Sequence, residues 1–127
     1  MTRRRKGRIP MTLRELIDLT GAIDLTPDTD KSTEISCGYT CDLLSWVMAH
    51  GQAGMAWITV QTHMNVIAVA SLMEMSAVII PEGIEIEAPS LTKAREEGIT
   101  VLSSSRTAFE LCAIMAAAGL PGSPREG

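Results

Sequence analysis

Apolar and polar positions along this chain fall into blocks whose period changes. Leu13, Leu16 and Ile17 recur at helical spacing behind Thr12, and Glu15 follows that threonine by three residues. This pair predicts a capping box, in which hydroxyl and carboxylate satisfy N–H groups that a helix start leaves unpaired. Gly21 predicts the stop, residues 22–25 a short strand, and the Pro- and Asp-bearing run 26–33 a polar loop. Residues 34–37 predict a brief strand, Gly38 and Tyr39 a turn, and Thr40 the cap of a helix over 41–50. That helix is expected to turn Leu43, Leu44, Val47 and Met48 inward. The strongest strand is 55–61, nearly continuous in apolar residues and β-rich. Thr62 or His63 then opens a helix to about Met75, and Ala77–Ile80 predicts a strand closed by Pro81-Glu82-Gly83. Ser90 is expected to cap a helix over 91–97, followed by a strand over 99–102. Ser103-Ser104-Ser105 leads into a last helix over 106–118.

Short strands alternating with longer helices are the mark of βαβ units. Right-handed crossovers place the helices on both faces of the sheet. The expected fold class is therefore α/β, a three-layer α/β/α sandwich around a mostly parallel sheet. One domain is expected over 11–120, with a basic disordered arm over 1–10 and a flexible tail over 121–127.

Composition sharpens this picture. At 127 residues and 46% hydrophobic, the chain suits one globular core and is too apolar to be disordered throughout. With four aromatics (Tyr39, Trp46, Trp57 and Phe109), aliphatic residues and methionine must fill that core. The net charge of −4 hides an uneven layout. Arg3, Arg4, Arg5, Lys6 and Arg8 crowd the start, whereas from Met11 onward six Lys or Arg face fifteen Asp or Glu, a net of −9. An acidic body argues against nucleic acid as a partner, because phosphate contact needs a basic surface. Met11 itself resembles a second start. No apolar stretch follows the arginines to make a signal peptide.

No charged residue lies between Asp42 and Glu74, but polar breaks at His50-Gly51-Gln52 and Gln61-Thr62-His63 leave neither piece long enough to span a bilayer. No membrane role is expected; the stretch suits strands and helices buried in the middle of the sandwich. Three cysteines (Cys37, Cys41 and Cys112) without a secretion signal point to free thiols and a cytoplasmic location.

In a parallel sheet the strand-to-helix turns gather at one edge, where ligands bind. The candidate binding residues are Gly38, Tyr39 and Thr40 in the first turn, Thr62, His63 and Asn65 in the second, Gly83 in the third, and Ser103, Ser104, Ser105 and Arg106 in the last. The serine turn offers hydroxyls and backbone N–H groups to an anion beside Arg106, although plain helix capping uses the same groups. His63 is suited to coordination or proton switching, and equally to a backbone hydrogen bond. Asp42, placed in a first helical turn, favours the helix dipole and repels a phosphate there.

Cys37 and Cys41, four positions apart, fall short of the four ligands that a metal or cluster normally takes. No metal and no cofactor is expected, an iron–sulfur cluster being the weaker alternative. The chain has no Gly-x-x-x-x-Gly-Lys-Ser/Thr loop, no Gly-x-Gly-x-x-Gly fingerprint, no Gly-x-Ser-x-Gly elbow and no His-Glu-x-x-His. No catalytic residue is assigned.

Several segments resemble the DRTGG domain family: Gly38-Tyr39-x-x-Asp42-Leu43-Leu44-Ser45-x-Val47-Met48, Trp57 through Gln61-Thr62-His63-x-Asn65 to Ala70, Val78-Ile79-Ile80-x-x-Gly83, Lys93-Ala94 and Ile99-x-Val101-Leu102. The resemblance covers about residues 11–120. It implies a fold like the N-terminal domain of HPr kinase/phosphorylase, also related to the first domain of Mur ligases. Such domains accompany phosphotransacetylases and CBS-domain pyrophosphatases as regulatory or assembly modules. Short members occur beside iron-only hydrogenase subunits. The motif that names the family departs here: Thr62-His63 stands where Asp-Arg is expected, and Pro81-Glu82-Gly83 keeps one glycine of Thr-Gly-Gly.

The first functional expectation is a non-catalytic regulatory or scaffolding domain. It would be a homo-oligomer acting through a protein partner, such as a hydrogenase or another enzyme of energy metabolism. The alternatives are a nucleotide or anion sensor at the strand-end turns, and an iron–sulfur or redox accessory protein using Cys37 and Cys41.

Overall fold

The computed structural model describes residues 11–122. The expected arm over 1–10 and most of the expected tail over 121–127 lie outside the described residues. The elements are α1 (Leu13–Thr20), β1 (Ile23–Asp24), β2 (Cys37–Thr40), α2 (Leu44–His50), β3 (Met55–Ile58), α3 (Met64–Leu72), β4 (Ala77–Ile80), α4 (Ala88–Glu97), β5 (Thr100–Ser103) and α5 (Ala108–Ala117). One sheet runs in the order β1-β5-β4-β3-β2. Strands β2 to β5 are parallel, and β1 is antiparallel to β5.

Because β2, β3, β4 and β5 lie side by side in chain order, their three crossovers share one hand and fall on one face. Helices α2, α3 and α4 cover that face through Val47, Ile67 and Ala94, packed with Trp57, Val78 and Val101. On the other face α1 and α5 pack Leu16, Ile17, Leu111 and Met115 against Ile58, Ile79 and Leu102. The expected three-layer sandwich is present. Every residue of β3 and of β4 is buried, which is why both appear in the sequence as unbroken apolar runs.

The first helix starts as its sequence predicts. Thr12 and Glu15 form a reciprocal capping box, and Gly21 ends the helix in the left-handed region at φ 72°. After β1 the polar loop is pinned by Lys31, whose ammonium pairs with Asp24 at 3.0 Å and donates to the Thr26 and Thr29 carbonyls.

Several boundaries differ from the sequence expectation. Gly38, Tyr39 and Thr40 lie in β2 rather than in a turn, because the ladder with β3 runs from Cys37–Met55 to Thr40–Ile58. The alternating stretch just before it pairs elsewhere: Thr12 bridges Glu34, and the Ile35 N–H donates to Met11. Thr40 caps nothing; α2 begins at Leu44 behind an uncapped Leu43. Of the four residues expected inward on α2, Val47 is buried and Leu44 half-buried, whereas Leu43 and Met48 are 62% and 50% exposed. This helix lies over the edge of the sheet, where there is less strand beneath it to cover. Ser90 is not a cap but a buried residue inside α4, its hydroxyl donating to the Thr62 carbonyl at 2.6 Å. Arg106 precedes α5, which is capped by Thr107 and Glu110 in a second capping box.

Candidate functional site

The parallel register brings the ends of β2, β3, β4 and β5 to one edge of the sheet, as the sequence implies. The chain leaves β4 toward α4 on one face and leaves β5 toward α5 on the other. That divergence is where open α/β sheets form a ligand crevice. Here the two turns close on each other instead. The Glu82 N–H donates to Arg106 and the Gly83 N–H to Ser104, both at 2.8 Å. Glu82 and Gly83 both take positive φ, 66° and 68°. Glycine adopts that conformation without cost, but a glutamate does so at about 1–2 kcal/mol.

Two of the groups expected to meet an anion, the Ser104 hydroxyl and the Arg106 Nε, bond within the protein. Ser104 is buried, and its hydroxyl accepts from the Arg106 N–H at 3.0 Å. The Arg106 Nε donates to the Thr20 carbonyl at 3.2 Å, at the negative end of α1. At the start of α5 the Thr107 hydroxyl accepts from the Glu110 N–H, and the Glu110 carboxylate returns the bond. An incoming anion would face that carboxylate. Ser105 is exposed, and Ser103 is the half-buried last residue of β5.

The second turn is organised by Asp42. Its Oδ1 accepts from the Thr59 hydroxyl at 2.8 Å and the Val60 N–H at 2.9 Å, and its carbonyl accepts from the Gln61 amide. Asp42 is therefore a loop residue that ties two turns together, not a first-turn helical acid. His63 is the N-cap of α3, its Nδ1 accepting from the Asn65 N–H at 3.1 Å. Thr62 is half-buried and gives its carbonyl to Ser90.

What remains at this edge is apolar and acidic. Leu43, Val60, Met64 and Phe109 are 62%, 43%, 40% and 82% exposed. Asp42, Glu82, Glu85, Glu87 and Glu110 are exposed on the same turns and first helical turns.

A cavity of about 930 Å³ opens to the side, along the edge strand β2 and between α2 and α5. It is lined by Gly38, Tyr39 and Thr40 from the expected set, together with Trp46, His50, Gln52, Cys112 and Met115. The other expected residues (Thr62, His63, Asn65, Gly83, Ser103, Ser104, Ser105 and Arg106) do not line it. Gly38 allows a close approach: a Cβ there would stand 3.2 Å from the Met115 methyl and 3.4 Å from Leu120, and those side-chain ends would have to give way. Its N–H donates to the Pro121 carbonyl, and it forms a parallel bridge with Gly122. Burial pushes the Cys112 thiol above its ordinary pKa. Trp46 and His50 form an i, i+4 pair that the sequence shows, but Leu43, Leu44, Val47 and Met48 are the stronger signal in the same stretch.

The thiols do not converge. Cys37 and Cys41 pack with the α2–α4 side of the core, and Cys112 with the α1–α5 side. Among the described residues no group of three or more His, Cys, Asp or Glu is arranged to hold a metal ion. No helix among them is long and apolar enough to cross a membrane.

The layers and strand order define an α/β fold of the CBS/DRTGG-like kind. The structure that shows the likeness is the CBS and DRTGG regulatory region of Clostridium perfringens pyrophosphatase, complexed with the activator diadenosine tetraphosphate. The match has a TM-score of 0.69 and 15% identity, and it covers 87% of this chain and 47% of that one. The chain thus spans about half the length of that structure, and the likeness is one of fold. No family profile matches the sequence, and no curated protein does.

Proposed function

We propose that this chain is a non-catalytic regulatory module that acts by docking a protein partner at the strand-end edge. One observation carries the reading: that edge exposes Leu43, Val60, Met64 and Phe109 while its polar turn groups bond one another. Apolar side chains rimmed by acids suit a protein surface with an apolar centre and basic flanks. The fold likeness to a regulatory region of a larger enzyme supports the same assignment. A hydrogenase subunit or an enzyme of energy metabolism is the partner class that the DRTGG resemblance suggests, and a second copy of the chain is the other.

The test is purification of a tagged chain from its own cells beside a Phe109→Ser, Leu43→Ser variant with unchanged thermal unfolding. Stoichiometric recovery of one protein with the wild type and its loss with the variant is the expected result. A wild type that elutes alone, and is monomeric by light scattering at high concentration, overturns the proposal.

An anion sensor at the same turns would have Arg106 as its one cation there. The Arg106 Nε is bonded to Thr20; Lys31, Lys93 and Arg95 are bonded to Asp24, Glu97 and Leu25, and Arg14, the remaining cation among the described residues, lies on α1 away from these turns.

A further inference from the structure

We propose that the cavity beside β2 binds an uncharged planar heteroaromatic molecule, of the nucleobase or nucleoside type, against the Trp46 indole. This goes beyond partner docking and is independent of it, since the cavity lies to the side of the strand-end edge.

The two tryptophans have opposite surroundings. Trp57 is fully buried and donates its Nε1–H to the Cys41 carbonyl at 2.8 Å, as a core residue does. Trp46 is 52% exposed and is not what anchors its helix, because Val47 performs that task. It is nevertheless held in place. The His50 ring, one turn later, stacks on it with centroids 4.1 Å apart and planes 24° from parallel. The His50 Nδ1 lies 3.0 Å from the Trp46 carbonyl, which fixes the imidazole in turn. An aromatic surface that is already ordered loses little side-chain entropy when a flat ligand settles on it.

Another part of the lining comes from α5, where Cys112 and Met115 bring sulfur to the cavity and Ala116 lies beside them. Polarisable sulfur makes favourable contacts with aromatic rings. Thr40 adds a hydroxyl for an exocyclic donor or acceptor. A volume of about 930 Å³ lies within the range of small-molecule sites.

Charge decides the class of ligand. Among the described residues lining the cavity there is no Asp, Glu, Lys or Arg. A phosphate would find no cation there, inside a chain that carries −9 from Met11 onward. Neutral rings are therefore favoured over their phosphorylated forms, the reverse of the order at a phosphate-binding site.

Trp46 is its own reporter, since Trp57 is shielded. The full chain is titrated with adenosine and guanosine, and separately with their 5′-monophosphates, while tryptophan emission is followed. The expected result is saturable quenching by at least one nucleoside, with its monophosphate weaker by roughly tenfold. Calorimetry then tests two variants with unchanged thermal unfolding. Trp46→Leu removes the ring surface, whereas Ala116→Phe fills the cavity from α5 and leaves the indole in place; both are expected to lose the nucleoside. The proposal is overturned if neither nucleoside quenches at millimolar concentration, if the monophosphates bind as tightly, or if Ala116→Phe still binds.

Discussion

Replacing Lys31 by methionine removes a charge from a cage while keeping most of the apolar stem. The Lys31 side chain is 8% exposed and that of Asp24 20%. Four acceptors surround Nζ: Asp24 Oδ2 at 3.0 Å, the Thr26 carbonyl at 2.9 Å, and the Thr29 carbonyl and hydroxyl at 2.8 Å each. The ammonium has three protons to share among them. Removing one member of a buried ion pair costs about 3–5 kcal/mol, because the other charge stays desolvated. The lower end applies here, since Asp24 keeps the Thr26 N–H at 2.9 Å on its Oδ1 and retains some solvent. About 3 kcal/mol is a large share of the ~5–15 kcal/mol that stabilises a domain, and corresponds to a melting temperature lower by roughly 12 °C. Urea unfolding followed through Trp57 emission measures it. The double variant Asp24→Asn, Lys31→Met is expected to recover at least about 1 kcal/mol, because the orphaned carboxylate is gone. A single variant within about 0.5 kcal/mol of wild type, or a double variant no better than the single, would refute the cage as a stabilising device.

Asp42→Ala leaves the buried Thr59 hydroxyl and the Val60 N–H without their acceptor, for an expected loss of about 2 kcal/mol and faster amide exchange at Val60; unchanged exchange would argue that the two turns hold without it. Gly51→Ala places a Cβ 2.8 Å from the Val47 carbonyl, and unfolding should become easier by about 1–3 kcal/mol; a neutral result would mean that the end of α2 yields. The Glu97 carboxyl is held below its ordinary value first by the Ser71 hydroxyl and then by Lys93. Its stabilising contribution is thus complete above the ordinary glutamate range and lost as pH falls through the lowered folded value. Ser71→Ala should move the Glu97 titration upward by NMR, and an unmoved titration would remove the hydroxyl as cause. Because burial raises the Cys112 thiol above its ordinary pKa, its alkylation at pH 8 should be slower than that of an unstructured cysteine peptide, with equal rates counting against that shielding.

What the sequence discloses depends on how local the deciding contact is. β4 spans the expected residues, and α1 has the expected caps, because apolar runs and a Thr-x-x-Glu pair carry their own cause. The same Thr-x-x-Glu signal exists at Thr107 and Glu110, but three consecutive serines just upstream offered a competing start for α5. β2 was displaced because 34–37 alternates like a strand while its pairing partner there is Thr12, far away in sequence. Asp42 resembles a first-turn helical acid in the sequence because its acceptor role depends on Thr59 and Val60, which only the folded sheet brings near. The turns after β3, β4 and β5 share one edge, as the parallel pattern alone requires, whereas 38–40 is strand rather than turn. The cavity was not legible, because it forms between two helices on opposite faces of the sheet, α2 and α5, which no local pattern relates.

The short segment 35–38 receives the chain twice. Its Ile35 N–H is bound by Met11 and its Gly38 N–H by Pro121. The two ends of the described body therefore meet along one outer segment, at Ile35 just before β2 and at Gly38 within it, and the second of these contacts lies on the rim of the Trp46 cavity. Joining the two ends with a short peptide and opening the chain at an exposed loop, such as 82–85, should yield a permuted protein with the same sheet. The geometry is that of a cassette: the body can be spliced into a loop of another protein, with both junctions on one side of it, one of them beside the cavity, and none across the core.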